Sequence, residues 1–161
     1  MPREFSAGVV IYRMENGNPK YLILQHERGH WDFVKGNVEK NEKLRATIIR
    51  ESREETGIQD LKFDDNFENN ISYFYKREGK TIYKEVVFHL AETQTTQVKI
   101  SYEHVGYAWL NYDQALKKLS YENSKKTLKK AHRKVTEKQK PQQISKKVNN
   151  ANNKKTIPQK I

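Results

Sequence analysis

The sequence predicts an α+β sandwich in which helices pack on a mixed β-sheet. Three observations carry that expectation. β-branched and aliphatic runs recur on both sides of a central segment, that segment is free of Pro and Gly over about three to four helical turns, and helical patterns follow at the C-terminal side. No internal repeat interrupts this order, so one core is expected.

FSAGVVIY (5–12) and YLILQ (21–25) read as strands joined by ENGNP, whose Asn, Gly and Pro supply turn chemistry. WDFVKGNVEKNE, from Trp31 to Glu42, reads as irregular. LRATIIRESREETG follows as a helix that Gly57 stops. ISYFYKREGKTIYKEVVFHLAE (71–92) holds two β-forming runs around REGK, a hairpin continuing into a buried strand over Val86–Ala91. VGYAWL (105–110) is a further strand. Asn111 or Asp113 can then cap a helix over 113–119, and a second helix is expected from Glu122 to about Lys138. Trp31 and Trp109 are expected in the core or at its rim.

At 161 residues the chain is long enough for one ordinary domain and too short for two. It has no cysteine, which excludes disulfides, thiolate metal sites and thiol nucleophiles. No apolar run approaches a membrane span and the N-terminus lacks the order of a secretory signal, so no membrane association and a cytoplasmic location are expected. The net charge of +11 is unevenly spread. Residues 1–116 carry 16 Lys+Arg against 18 Asp+Glu, a net −2, whereas residues 117–161 carry 15 against 2, a net +13. The body is therefore mildly acidic, and the basic charge alone does not make it a nucleic-acid-binding domain. From Pro141 onward there is no aromatic and no acidic side chain, too little apolar surface to offset ordering entropy. The expected organisation is a domain over 1–138 and a basic, disordered tail over 139–161, the tail a candidate for weak, salt-dependent contact with RNA or another polyanion.

The central helix carries charge where a core-facing stripe belongs. Leu44 and Ile48 share one face, and position 55 returns to within about 20° of position 48. That position is Glu55, and Glu51 and Glu54 lie along the same edge. Like charges at this spacing repel, and partial burial worsens it. One reading is a solvated acidic helix with Arg45, Arg50 and Arg53 as surface partners. The other is a hard divalent cation among the carboxylates, since oxygen-only ligation selects ions such as Mg²⁺ or Mn²⁺.

The wider spacing favours the cation. Gly36, five residues, Glu42, seven residues, then Arg50-Glu51-Ser52-Arg53-Glu54-Glu55-Thr56-Gly57-Ile58 resembles the Nudix box over 23 residues. Ser52 departs from it, standing at an aliphatic position. The resemblance implies an α/β/α sandwich with a mixed sheet, a loop-helix-loop catalytic motif and metal-dependent hydrolysis of a nucleoside diphosphate linked to another group. It implies Glu51, Glu54 and Glu55 as metal ligands with the Gly36 carbonyl, Arg50 as the group orienting a catalytic carboxylate, and Glu42 as its partner. Such chemistry suits the residues: a pyrophosphate is anionic and resists attack until its oxygens are neutralised.

Outside the box, GHWDFVKGNVE, KEVVFHLAE, SYEHVGYAWL and LSYENSKKTLKKAH together resemble the asymmetrical diadenosine tetraphosphate hydrolases, a Nudix branch that releases ATP and AMP. Phe33-Val34 departs from that branch, which often has two prolines there. This second resemblance implies Glu103 as an additional catalytic or metal-binding glutamate, with Glu103 or Glu54 taking the proton. Lys84 resembles a phosphate-binding lysine of the branch. His30 and Lys35 precede the helix and are candidates for phosphate contact, and Tyr73 and Tyr121 for stacking on a purine. His89 and His104 read as structural. The expected partner is a nucleotide polyphosphate and the expected state a monomer. Alternatives are RNA 5′-triphosphate ends or other nucleoside diphosphate derivatives as substrate, or a nucleotide-binding module without catalysis.

Overall fold

The computed structural model describes residues 1–156, with side chains as far as Gln139. The chain divides into two compact units, Met1–Ala131 and the residues from His132 onward. Strands β1 (Arg3–Glu15) and β2 (Asn18–His26) form the first hairpin, turning through Asn16 and Gly17 at φ of 52° and 81°. This is the left-handed pair that matches strand twist in a two-residue turn. β3 (Trp31–Asp32) and β4 (Val34–Asn37) lie where an irregular segment is expected. Strands of two and four residues show no readable alternation; β4 forms because β1 offers it backbone partners, from Ser6↔Asn37 to Val9↔Val34.

Helix α1 (Leu44–Thr56) ends at Gly57, whose N–H donates to the Arg53 carbonyl at 3.0 Å. β5 (Lys62–Phe63) is a second short strand that the sequence does not announce. β6 (Asn69–Arg77) and β7 (Lys80–Glu92) form the expected hairpin, and β8 (His104–Leu110) the expected later strand. α2 (Tyr112–Lys118) is capped by Asn111, which accepts from Gln114 N–H while the Gln114 side chain accepts from Asn111 N–H. α3 (Glu122–Thr156) starts where expected and extends past Lys138, with neither Gly nor Pro between Pro141 and Pro158 to stop it. The expected disordered tail over 139–161 falls where side chains from position 140 and the last five residues lie outside the described residues.

The eight strands form one mixed sheet. β1 and β7 run parallel, from Arg3↔Tyr83 to Tyr12↔Glu92, and every other pairing is antiparallel. Alternate residues of β1 and β2, Ala7, Val9, Ile11, Leu22 and Leu24, are buried with Ile48 of α1, Val34 and Ile58. On the opposite face the Phe33 and Phe88 rings meet edge to face at 5.8 Å, so Phe33 earns its place by packing. The first turns of α3 are fastened there by Thr127, whose hydroxyl accepts from Asn69 at 2.8 Å, and by Lys130, which donates to Asn69 at 3.0 Å. Ser52, polar at an aliphatic position, is fully buried and satisfied: its hydroxyl donates to the Ile58 carbonyl at 3.1 Å. Trp109 sits at the rim, its indole N–H on the Thr96 carbonyl at 2.9 Å.

Candidate functional site

Arg50 is the hub of the acidic helix. Its Nε and Nη2 donate to the two oxygens of Glu42 at 2.9 and 3.1 Å, a bidentate grip across the loop that precedes α1. Nη2 also reaches the Asn37 carbonyl at 3.1 Å, and Nη1 donates to Glu51 at 2.7 Å and Glu54 at 3.4 Å. Glu42 further accepts from the Thr47 hydroxyl at 2.6 Å and from Glu39 N–H at 3.1 Å. These donors, Arg50 foremost and then Thr47, hold the Glu42 carboxyl down at about 2. Glu42 thus straps the loop to the helix through Arg50.

The three helix carboxylates meet different environments. Glu54 is exposed, Glu51 half-buried, and Glu55 buried at 6% exposure. Burial above all, then the charge of Glu51, pushes the Glu55 carboxyl up to about 9. The Glu51 carboxyl is also raised, by burial working against the pull of Arg50. The Glu51 carboxylate lies against the Gly36 backbone, where a Cβ on residue 36 would overlap it. Among the described residues no group of three His, Asp or Glu side chains is gathered to chelate a metal, so the expected ligands Glu51, Glu54 and Glu55 do not converge in this structure. Arg50 draws Glu51 and Glu54 to itself, while Glu55 faces the interior.

The donor set nevertheless fits a hard divalent cation. Glu55 Oε2 is buried and has no hydrogen-bond partner, an orphaned oxygen that costs free energy unless a proton or a cation meets it. It stands beside a second carboxylate on a backbone that only glycine lets approach, and all the atoms on offer are oxygens.

Beside Glu55 opens a cleft of about 120 Å³ lined by His26, His30, Asp32, Lys35, Glu103 and His104 over the apolar floor of Leu24 and Phe33. The cleft is small beside the roughly 300–1,000 Å³ usual for ligand pockets. The expected residues His30, Lys35, Glu55 and Glu103 come together here. Lys35 donates to Asp32 at 3.0 Å, and its ammonium lies 5.9 Å from the Tyr73 ring centre. Burial works to discharge Lys35; Asp32 and Tyr73 overcome it and hold the ammonium charged. Asp32 itself is buried and also accepts from Phe33 N–H and the Ser124 hydroxyl, each at 2.8 Å.

Lys84 pairs in register with Tyr73 and lies 3.9 Å from Glu4, outside the cleft lining. Burial, then the neighbouring Lys35, lowers its ordinary value. Tyr121 stands at the start of α3, its ring 5.6 Å from His30 and half exposed. Tyr73 and Tyr121 thus make separate contacts, one at Lys35 and one at His30. Three site residues escaped the sequence reading. Asp32 and Glu4 are the carboxylates that hold Lys35 and Lys84, and His26 lines the cleft. Only the HERGH spacing of two histidines around a glycine hints at the last.

These features have relatives. The NUDIX domain family model matches residues 2–137, and the chain belongs to the Nudix family. It is 32% identical over 139 residues to the asymmetrical bis(5′-nucleosyl)-tetraphosphatase of Mus musculus, covering 79% of this chain and 92% of that one. It is 36% identical over 80 residues to the mRNA-decapping protein g5R of African swine fever virus, covering 46% of this chain and 31% of that one. A crystal structure of a C. elegans Ap4A hydrolase binary complex superposes with a TM-score of 0.70 at 27% identity, covering 83% of this chain and 98% of that one. The protein is a Nudix hydrolase, built on the mixed sheet and three helices of that fold. No helix among the described residues is long and apolar enough to cross a membrane.

Proposed function

We propose that this chain hydrolyses dinucleoside polyphosphates, splitting diadenosine tetraphosphate asymmetrically into ATP and AMP with Mg²⁺, or Mn²⁺ in its place. The observation that carries the reading is the cleft itself, lined by Glu55, one of whose carboxylate oxygens is buried without a hydrogen-bond partner, together with Glu103, His30 and Lys35. Similarity to the mouse tetraphosphatase over most of both chains supports it.

In this reading Glu51, Glu54, Glu55 and the Gly36 carbonyl hold the cation, which when bound neutralises phosphate oxygens and lowers the pKa of the attacking water. Arg50 and Glu42 fix the rotamer of Glu51 by the hydrogen bonds described above. Glu103 or Glu54 accepts the proton of the water. Lys35, His30 and Lys84 bind phosphate oxygens, and Tyr73 and Tyr121 present ring faces to a purine. The catalytic domain spans 1–138, acts as a monomer and works in the cytoplasm. A nucleotide-binding module without catalysis has no use for a carboxylate set of this kind.

Incubation with diadenosine tetraphosphate and Mg²⁺, with products resolved by ion exchange, tests the reading. ATP and AMP in equal amounts are expected; two ADP, or no turnover, reject it. A second reading keeps the chemistry and takes an RNA 5′-triphosphate end as substrate. It is favoured by the likeness to the viral decapping protein and by the basic segment from 117 onward, 15 Lys+Arg against 2 Asp+Glu. Competition between the two substrates in one preparation decides it. Weak RNA retention by that segment is expected to fall with salt, and truncation at residue 140 to reduce it; unchanged retention by the truncated chain rejects this contact.

A further inference from the structure

We propose that His26 is a phosphate ligand of the cleft, its Nε2–H donating to an oxygen of the substrate's phosphate chain. The inference rests on the polyphosphate reading above and extends it to a residue that neither the box nor the flanking motifs include.

The geometry begins with the strand end. The register of β2 against β8 passes from Gln25↔Gly106 to His26↔His104, so the extra residue is Val105 of β8 and the bulge sets His104 opposite His26. The chain then turns back on itself: His26 N–H donates to the His30 carbonyl at 2.8 Å, and Gly29 N–H to the His26 carbonyl at 2.8 Å. This closes a turn that sets two imidazoles side by side, ring centres 4.5 Å apart and planes within 13°. The His104 ring stands edge-on to His26 at 6.0 Å, and Glu27 N–H donates to the Glu103 carbonyl at 3.0 Å. The turn is therefore tied to the loop that carries Glu103.

The tautomer of His26 follows from its partner. Arg28 N–H, which can only donate, lies 3.2 Å from His26 Nδ1, so Nδ1 accepts and the proton sits on Nε2. Among the described residues no hydrogen bond takes that Nε2–H. The rest of the cleft wall is rich in acids. Asp32, Glu55 and Glu103 line it, and the Lys35 ammonium, one of whose three N–H groups goes to Asp32, is a donor beside them. A phosphate chain laid against these carboxylates, even with a cation between, needs N–H groups on the opposite side, and the stacked imidazoles present them.

Two substitutions separate a ligand from a packing residue. His26→Phe keeps a ring to stack on His30 and removes the donor; His26→Gln removes the ring and keeps an N–H. For the phenylalanine variant, KM for diadenosine tetraphosphate and the inhibition constant of inorganic tetrapolyphosphate both rise roughly tenfold while kcat stays within about twofold. The glutamine variant recovers most of that loss. Wild-type KM and tetrapolyphosphate inhibition in the phenylalanine variant overturn the proposal, as does a glutamine variant no better than phenylalanine. If the wild type turns over no dinucleoside polyphosphate, the functional reading fails by itself. Calorimetric binding of tetrapolyphosphate to wild type and to His26→Phe then decides the subsite, equal affinities overturning it.

Discussion

The Glu51 carboxylate occupies the space that a β-carbon on residue 36 would require. Strand β4 and the acidic edge of α1 are thus in contact through backbone on one side and carboxylate on the other. Gly36→Ala displaces Glu51, and a displacement of about 1 Å in such a site costs roughly 100-fold in turnover. Steady-state kinetics on the alanine variant, with an unfolding curve to show that the fold survives, checks it. Activity close to wild type would mean that Glu51 has no fixed place.

Arg50→Met releases Glu42. In the wild type the Arg50 and Thr47 hydrogen bonds hold the Glu42 carboxyl at about 2. A carboxyl lowered on folding contributes stability that is fully present above its unfolded value, about 4.3, and lost as pH falls toward 2. The variant therefore begins acid unfolding at a higher pH than the wild type. NMR titration of the Glu42 carboxyl tracks the same change directly, moving back toward the ordinary range.

Glu55 has the opposite sign. Its carboxyl is raised to about 9 by burial and by Glu51, so the metal-free fold binds a proton that the unfolded chain has released. Metal-free stability accordingly falls as pH rises from about 4 to 9. Glu55→Gln, which carries no such proton, flattens that part of the dependence and abolishes most turnover. Thermal unfolding in EDTA at several pH values reads the first effect and kinetics the second.

Asp32→Ala strands Lys35. Asp32 accepts from Lys35, Phe33 N–H and Ser124, joining the cleft to the first turns of α3. Removing one partner of a largely buried ion pair costs about 3 kcal/mol, the ammonium being left without its counter-charge. Urea unfolding checks the stability, and a raised KM is expected besides.

How far this was legible depends on the range of the interaction. α1 and its stop at Gly57, the Asn16–Gly17 hairpin and the Asn111 cap all rest on neighbours within four residues, and the sequence announces them. β4 and β5 do not, because strands of four and two residues exist only through the partners that β1 and β7 provide. The same division runs through the site. Glu42 and Arg50 are eight residues apart within one motif. Asp32 and Ser124 are separated by 92 positions, and Glu4 reaches Lys84 from a different strand. His26 has only the HERGH spacing to announce it; its neighbours are assembled by a turn and a bulge.

Calorimetric titration of Mn²⁺ into wild type and Glu55→Gln, with and without nucleotide, bears most directly on the claim that this carboxylate helix exists to hold a cation. Saturable uptake by the wild type is expected, with a loss of at least about tenfold in affinity in the variant. Equal uptake by both proteins, or none by the wild type even with nucleotide present, would contradict it.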